Sequence, residues 1–233
     1  MSFRRRSRAV SVIPCGMPDS THKAVVQESF TRQAQAYAAA PTIADPVRVQ
    51  RLVEAVDPNA EARVLDVACG PGFLTLGFAA RCREAIGVDL TDAPLAIANR
   101  NQRERGLRNA HFQRADAERL PFPDADFDVV VCRLAFHHLE EPGRVLREMA
   151  RVCRNGGKVV VQDLVSSEHP SRAEYQNTFE RLRDPSHTSA LPASKLIGLF
   201  TAAGLEVEAM YSDFLLQDLE RWLANSQTPA DRA

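Results

Sequence analysis

Asp66, Asp89 and Asp116 follow one another at spacings of 23 and 27 residues, and each lies at or just beyond the end of a short apolar run. That is about the length of one strand, helix and return, so the three carboxylates are expected to gather at neighbouring strand ends of one sheet. After the first run, Gly70-Pro71-Gly72 brings backbone amides and a helix N-terminus toward a ligand at the carboxyl edge. A dinucleotide fingerprint wants a third glycine where Thr75 stands, and Asp66 would set a carboxylate against a pyrophosphate. A ligand with a positive group fits better. A carboxylate at Asp89 can accept both hydroxyls of a ribose, and one at Asp116 an exocyclic amine such as that of adenine. The bland alternative for all three is a solvated loop acid or a helix cap.

A second group follows the fourth run, in Cys132-Arg133-Leu134-Ala135-Phe136-His137-His138-Leu139. An imidazole there can take a proton from an acceptor near neutral pH. Adjacent histidines point in different directions, so one of them faces a pocket; His138 is the preferred base, with His137 and His187 as substrate-side alternatives that otherwise cap, pack or face solvent. Arg133 either orients an anion or pairs with Glu140 or Asp163. Phe30 and Tyr37 lie seven apart on one helical face and either close over the site or pack in the core. No metal-ligand spacing is present in the sequence.

The elements that must position these groups alternate. Helical spacing over 20–40, with Ser20 as N-cap and Pro41 as stop, and again at Val49, Leu52, Val53 and Val56, precedes a strand over 63–67. Strands over 85–89, 110–114, 127–132 and 158–164 follow, separated by helices; Gly106 ends one helix, and Asn155-Gly156-Gly157 turns into the fifth strand. Five strands with helical crossovers predict an α/β fold with a doubly wound, mostly parallel sheet. Residues 165–203 read as a small helical cap containing Leu182-Arg183-Asp184-Pro185-Ser186-His187, then 205–210 as a sixth strand and 215–224 as a last helix.

The motifs Val64-Leu65-Asp66-Val67-Ala68-Cys69-Gly70-Pro71-Gly72, Gly87-Val88-Asp89, Asp116-Ala117-Glu118-Arg119-Leu120-Pro121-Phe122 and Phe127-Asp128-Val129-Val130-Val131-Cys132 together resemble the class I S-adenosylmethionine-dependent methyltransferases, in the branch around ubiquinone and menaquinone biosynthesis. The resemblance implies a Rossmann-like methyltransferase fold, S-adenosyl-L-methionine as cofactor and a small organic acceptor. A protein or RNA methyltransferase, or a binding module without catalysis, are the alternatives. It implies that Gly70 and Gly72 pass beside the methionine part, that Asp89 holds the ribose, that Asp116 with the Ala117 amide reads adenine, and that Asp66, Ala68, Leu90 and Arg133 also bind the cofactor. It also implies Tyr37, His137 and His187 on the acceptor side, under a lid formed by the N-terminal helix. Ala68 departs from the family's commoner glycine, a change expected to be tolerated if φ stays negative there. The Asn-Pro-Pro-Tyr-like sequence of base amino-methylation is absent after the fourth strand.

Composition narrows the class. Among 233 residues, 29 basic and 30 acidic side chains give a formal charge of −1, and 45% are hydrophobic, as in one soluble domain. Arg4, Arg5, Arg6 and Arg8 crowd the start, leaving 25 basic against 30 acidic groups elsewhere, so no nucleic-acid or membrane partner is called for. Residues 1–18 read as a disordered basic arm before a single domain over 19–233, and the arm's apolar stretch is short for an export signal. Five cysteines without paired spacing read as reduced thiols, consistent with a cytoplasmic location. Relatives add a final antiparallel strand that this sequence lacks. The missing strand would expose an edge and makes a homodimer one outcome; a chain cut from a longer protein would read the same way.

Overall fold

The protein is described by a computed structural model over residues 21–214 and 218–226. The basic arm with Cys15, the Ser20 cap, the start of the expected last helix and the tail beyond 226 lie outside the described residues.

Among the described residues three helices come first: α1 (Thr21–Ala39), α2 (Pro41–Ala44) and α3 (Pro46–Val56). Pro41, expected as a stop, instead begins α2, where its missing N–H costs nothing because first-turn amides have no intrahelical partner. Then come β1 (Arg63–Val67), α4 (Phe73–Ala79), β2 (Glu84–Asp89), α5 (Asp92–Arg105), β3 (Ala110–Arg114), β4 (Phe127–Arg133), a 3-10 turn (Phe136–His138), α6 (Pro142–Val152) and β5 (Cys153–Gln162). The last part holds β6 (Val165–Ser166), α7 (Pro170–Arg183), β7 (Leu191–Pro192), α8 (Ala193–Ala202) and α9 (Leu219–Asn225).

The main sheet is parallel throughout, in the order β3-β2-β1-β4-β5, and β6 pairs with β7 in a separate two-stranded sheet. The winding reverses between β1 and β4, which opens a crevice at their carboxyl ends. Alternation along the central strands divides the core. Val64, Val129 and Val131 pack with Val53, Leu76 and Phe78, whereas Leu65, Val67, Val130 and Cys132 pack with Leu146, Met149 and Val152 on the other face. With both faces covered, β1 and β4 carry the buried apolar stretches Val64-Leu65 and Val129 to Cys132, as buried parallel strands do.

Two sequence expectations need correction. The fifth strand begins at Cys153, not Lys158: Phe127 pairs with Cys153 and Val129 with Lys158, so the Asn155-Gly156-Gly157 turn is an irregularity inside the ladder. The ladder stops at Gln162, because the Asp163 carboxylate turns to accept the His137 amide at 2.9 Å. The sixth strand is not formed. Among the described residues, 205–210 alternate in polarity but have no strand beside them and β5 pairs with β4 alone; Val207 and Met210 are exposed.

Candidate active site

The three acidic stations open onto the crevice as their spacing predicts, but each is held differently. Asp89, at the end of β2, accepts the Gly70 amide and the Thr91 amide, both at 2.9 Å, so the glycine loop is tied to the neighbouring strand. Burial holds its pKa above the ordinary carboxylate value, and these amides oppose the shift. Asp116 accepts the Glu118 amide at 2.9 Å through one oxygen and Lys23 Nζ at 2.7 Å through the other. Asp89, Leu90, Asp116, Ala117, Ala68 and Gly70 line one cleft of about 810 Å³, counted with the solvent-open space at its mouth.

Asp66 lies deeper, in an adjoining cleft of about 320 Å³ that shares Tyr37, Ala68 and Gly70 with the first. It is 2% exposed and accepts the Thr75 hydroxyl at 2.6 Å. Burial pushes its pKa up to about 7, against the pull of Thr75 and the nearby Arg133 charge. Thr75 therefore does more than replace a third glycine. It is the proton donor that satisfies a buried carboxylate, a role only the tertiary packing reveals.

Several expectations about single residues fail here. Ala68 does not keep a negative φ: its φ is +56°, in the left-handed region where a Cβ is strained. Gly72 lines neither cleft. It takes φ +78° at the start of α4, and a Cβ there would stand 2.6 Å from the Phe112 ring and 2.8 Å from the Ala98 side chain, so it serves close packing. Arg133 pairs with neither Glu140 nor Asp163. It donates to the carbonyls of Thr42 at 2.9 Å and Ile43 at 3.2 Å and to Gln162 at 3.1 Å, clamping α2 to β4 while its guanidinium borders the Asp66 cleft. Burial lowers its pKa from the usual arginine value.

The two adjacent histidine rings lie 4.1 Å apart but bond to different partners. His138 lines the larger cleft, and its Nδ1 lies 3.0 Å from the Ser186 carbonyl, which can only accept. Nδ1 therefore carries the proton and Nε2 the lone pair. Burial, with the positive His137 beside it, depresses the His138 pKa to about 4. His137 instead bonds the Asp163 carboxylate; burial works against its charged form, but Asp163 outweighs this and holds its pKa above the ordinary value. His187 is neither exposed nor on the cleft. It is 3% exposed, its Nε2 bonds Asn177 Oδ1 at 2.8 Å, and burial depresses its pKa to about 3.

The roof of the larger cleft was legible only in part. Phe30 and Tyr37 face it from α1, with their rings edge-on at 5.3 Å and Phe30 edge-on to His138 at 5.0 Å. The polar fastenings were missed. His22 donates to the His138 carbonyl at 2.8 Å, Lys23 bonds Asp116 and Glu118, and Gln27 donates to the Leu90 carbonyl at 3.3 Å. Their signal was their place on the stripe of Val26 and Phe30, which apolar periodicity ignores.

Residues 65–161 match the methyltransferase domain family. The chain is 34% identical over 203 residues to the uncharacterized methyltransferase YcgJ of Bacillus subtilis, covering 87% of this chain and 80% of that protein. The chain belongs to the S-adenosylmethionine-dependent methyltransferases. The crystal structure of YcgJ superposes with a TM-score of 0.77 at 35% identity, covering 79% of each chain. That of a putative methyltransferase from Bacillus halodurans gives 0.74 at 28%, covering 79% of this chain and 80% of that one. Similarity to the ubiquinone/menaquinone biosynthesis C-methyltransferase UbiE of Ectopseudomonas mendocina is 35% over 121 residues, half of this chain and 47% of that enzyme. The methyltransferase uses S-adenosyl-L-methionine, and the residues present fit that cofactor. Asp89 is a half-buried carboxylate on the cleft whose two oxygens each retain acceptor capacity beyond one backbone amide, as a ribose diol requires. Acids at Asp66, Asp89, Asp116 and Glu118 outnumber the cations Lys23 and Arg133 along the two clefts, which suits a positively charged ligand.

Proposed function

We propose that this methyltransferase acts on a small organic acceptor, with Asp89 holding the cofactor ribose, Asp116 and Ala117 its adenine, Asp66 the positive methionine end, and His138 taking the acceptor's proton. The observation that carries the reading is the roof: α1 crosses the crevice and is bonded to the second, third and fourth strand-end segments at once. Such a cover leaves room for a compact acceptor, excludes water and hinders a macromolecule.

When bound, the cofactor supplies a sulfonium methyl group that is already electrophilic and whose C–S electron pair leaves with the sulfur. The chain's part is alignment, exclusion of water and proton removal. Val26, Phe30, Leu134 and Leu139 give the cleft an apolar wall, and Tyr37 stands where the two clefts meet. His138 presents a neutral imidazole at physiological pH because its pKa is depressed, so its Nε2 lone pair is available. Among the described residues no helix is long and apolar enough to cross a membrane.

The test uses cofactor labelled in the methyl group, offered to a cell extract separated into metabolites and macromolecules. Label entering the metabolite fraction, and lost with His138→Ala at unchanged affinity for S-adenosylhomocysteine, supports the reading. Label confined to protein or RNA refutes it.

A further inference from the structure

The run Leu182-Arg183-Asp184-Pro185-Ser186-His187 leaves α7 and folds over the 3-10 turn that carries His138. Thr188 donates to the His137 carbonyl through its amide at 2.8 Å and through its hydroxyl at 2.9 Å, pinning the run to that turn. Ser186 is wholly buried, and both its carbonyl and its hydroxyl face His138 Nδ1, at 3.0 and 3.1 Å. The Ser186 hydroxyl in turn donates to Asp184 Oδ1 at 2.6 Å, and its amide donates to the same oxygen at 2.9 Å.

We propose that Asp184, acting through Ser186, is the positioning residue for His138: it fixes the ring with Nδ1 protonated, leaves Nε2 as the proton acceptor, and balances the charge that appears when that proton arrives. This inference rests on the reading of His138 as the base. It assigns a role to the one motif of the cap that the cofactor site does not use.

The energetics point the same way. Asp184 is 4% exposed, and among the described residues its carboxylate is held by Ser186 alone. Keeping such a group ionised is costly unless positive charge lies nearby; Arg183 and His137 supply part of it, and a protonated His138 adds to it. Burial pushes its pKa up, yet His138 and Ser186 outweigh this and leave it below the ordinary value, so the carboxylate is charged. The other titratable and charged groups around His138 and Asp184 are His137 with its Asp163 partner, His187 behind it, His22 on its carbonyl, and Arg183, whose charge acts on Asp184 and His187. Asp184 is the acid joined to the His138 ring by a hydrogen-bonded path. In the forward step the acceptor's proton passes to Nε2 as its electron pair bonds the methyl carbon; the imidazolium then faces the Asp184 charge across Ser186. Asp184 touches neither cofactor nor acceptor.

Long-range proton–nitrogen correlation spectra of histidine-labelled protein read tautomer and titration directly. In the wild type His138 is expected as the Nδ1–H tautomer. Asp184→Asn should lower its pKa further, by about one unit, since an opposite charge is removed. Ser186→Ala, which keeps the carbonyl acceptor, should preserve the tautomer with a smaller downward shift. Should Asp184→Asn fail to fold, judged by loss of S-adenosylhomocysteine binding, Ser186→Ala decides alone. An unchanged His138 titration in the folded variants overturns the proposal. A separate arm examines the base reading: diethyl pyrocarbonate should acylate wild-type His138, as mapped by peptide mass spectrometry, and S-adenosylhomocysteine should shield it. Absence of shielding removes His138 from the cleft and sinks that reading, while the titration still judges the hold of Asp184 on the ring.

Discussion

Lys23 Nζ, on the first turn of α1, lies 2.7 Å from Asp116 Oδ2, the acid assigned to the adenine amine. Burial disfavours its ammonium, but the hydrogen bonds to Asp116 and Glu118 outweigh this and raise its pKa. The lid and the adenine station thus share one carboxylate. Lys23→Met should weaken S-adenosylhomocysteine binding by roughly three- to tenfold, and the wild-type affinity should fall with added salt more steeply than the variant's, because partly exposed ion pairs are screened. Titration calorimetry at two salt concentrations checks this; parallel salt dependence would detach Lys23 from binding.

Asp89 organises its surroundings by accepting the Gly70 and Thr91 amides. Asp89→Ala removes the acceptor of the Gly70 amide along with the groups that would meet a ribose. The loss of charge-assisted hydrogen bonds worth about 1.5 to 3 kcal/mol predicts a ten- to hundredfold weaker affinity for S-adenosylhomocysteine. Affinity equal to the wild type's would dismiss the ribose assignment.

Ala68 occupies a backbone conformation that glycine tolerates freely. Ala68→Gly should stabilise the protein by up to about 1 kcal/mol, a rise in melting temperature of roughly 2 to 4 °C for a chain this size. A lower melting temperature would mean that the methyl group packs usefully in the cleft wall.

Asp66 makes stability depend on pH. Its native pKa, about 7, lies above its unfolded value, so the folded state keeps a proton that the unfolded chain has released. Its contribution is therefore complete below about pH 4 and is lost as pH rises through 7. Asp66→Asn, which can still accept from Thr75, should be more stable than wild type at pH 8, with the gap closing toward pH 5. A gap that does not vary with pH in thermal melts would refute the shift. The same group predicts that binding the positively charged end of S-adenosylhomocysteine releases a proton near pH 7, visible as a buffer-dependent binding enthalpy.

The parts legible in the sequence were those fixed by local pattern. Val64 to Val67 and Val129 to Cys132 announce buried strands by composition, and the acids at their neighbours' ends then have nowhere to go but the crevice. What escaped depends on which segment lies across which. Nothing in the spacing of Gly72 shows that Phe112 will press against it, and nothing local to Ala68 shows the sign of its φ. The alternation of 205–210 is genuine, but a strand needs a neighbour, and periodicity does not supply one. The histidines stand out in the sequence, but whether a ring faces a cleft, an aspartate or an asparagine is decided by residues 26 and 10 positions away.

The fastening of α1 also has a consequence in time. Product can leave the covered cleft only after the bonds from His22, Lys23 and Gln27 let go, and each new cofactor can be committed only once they re-form. The same three contacts therefore govern dwell time as well as affinity. Were opening of the cover the slow step, loosening α1 would quicken turnover up to the point where water begins to compete for the methyl group.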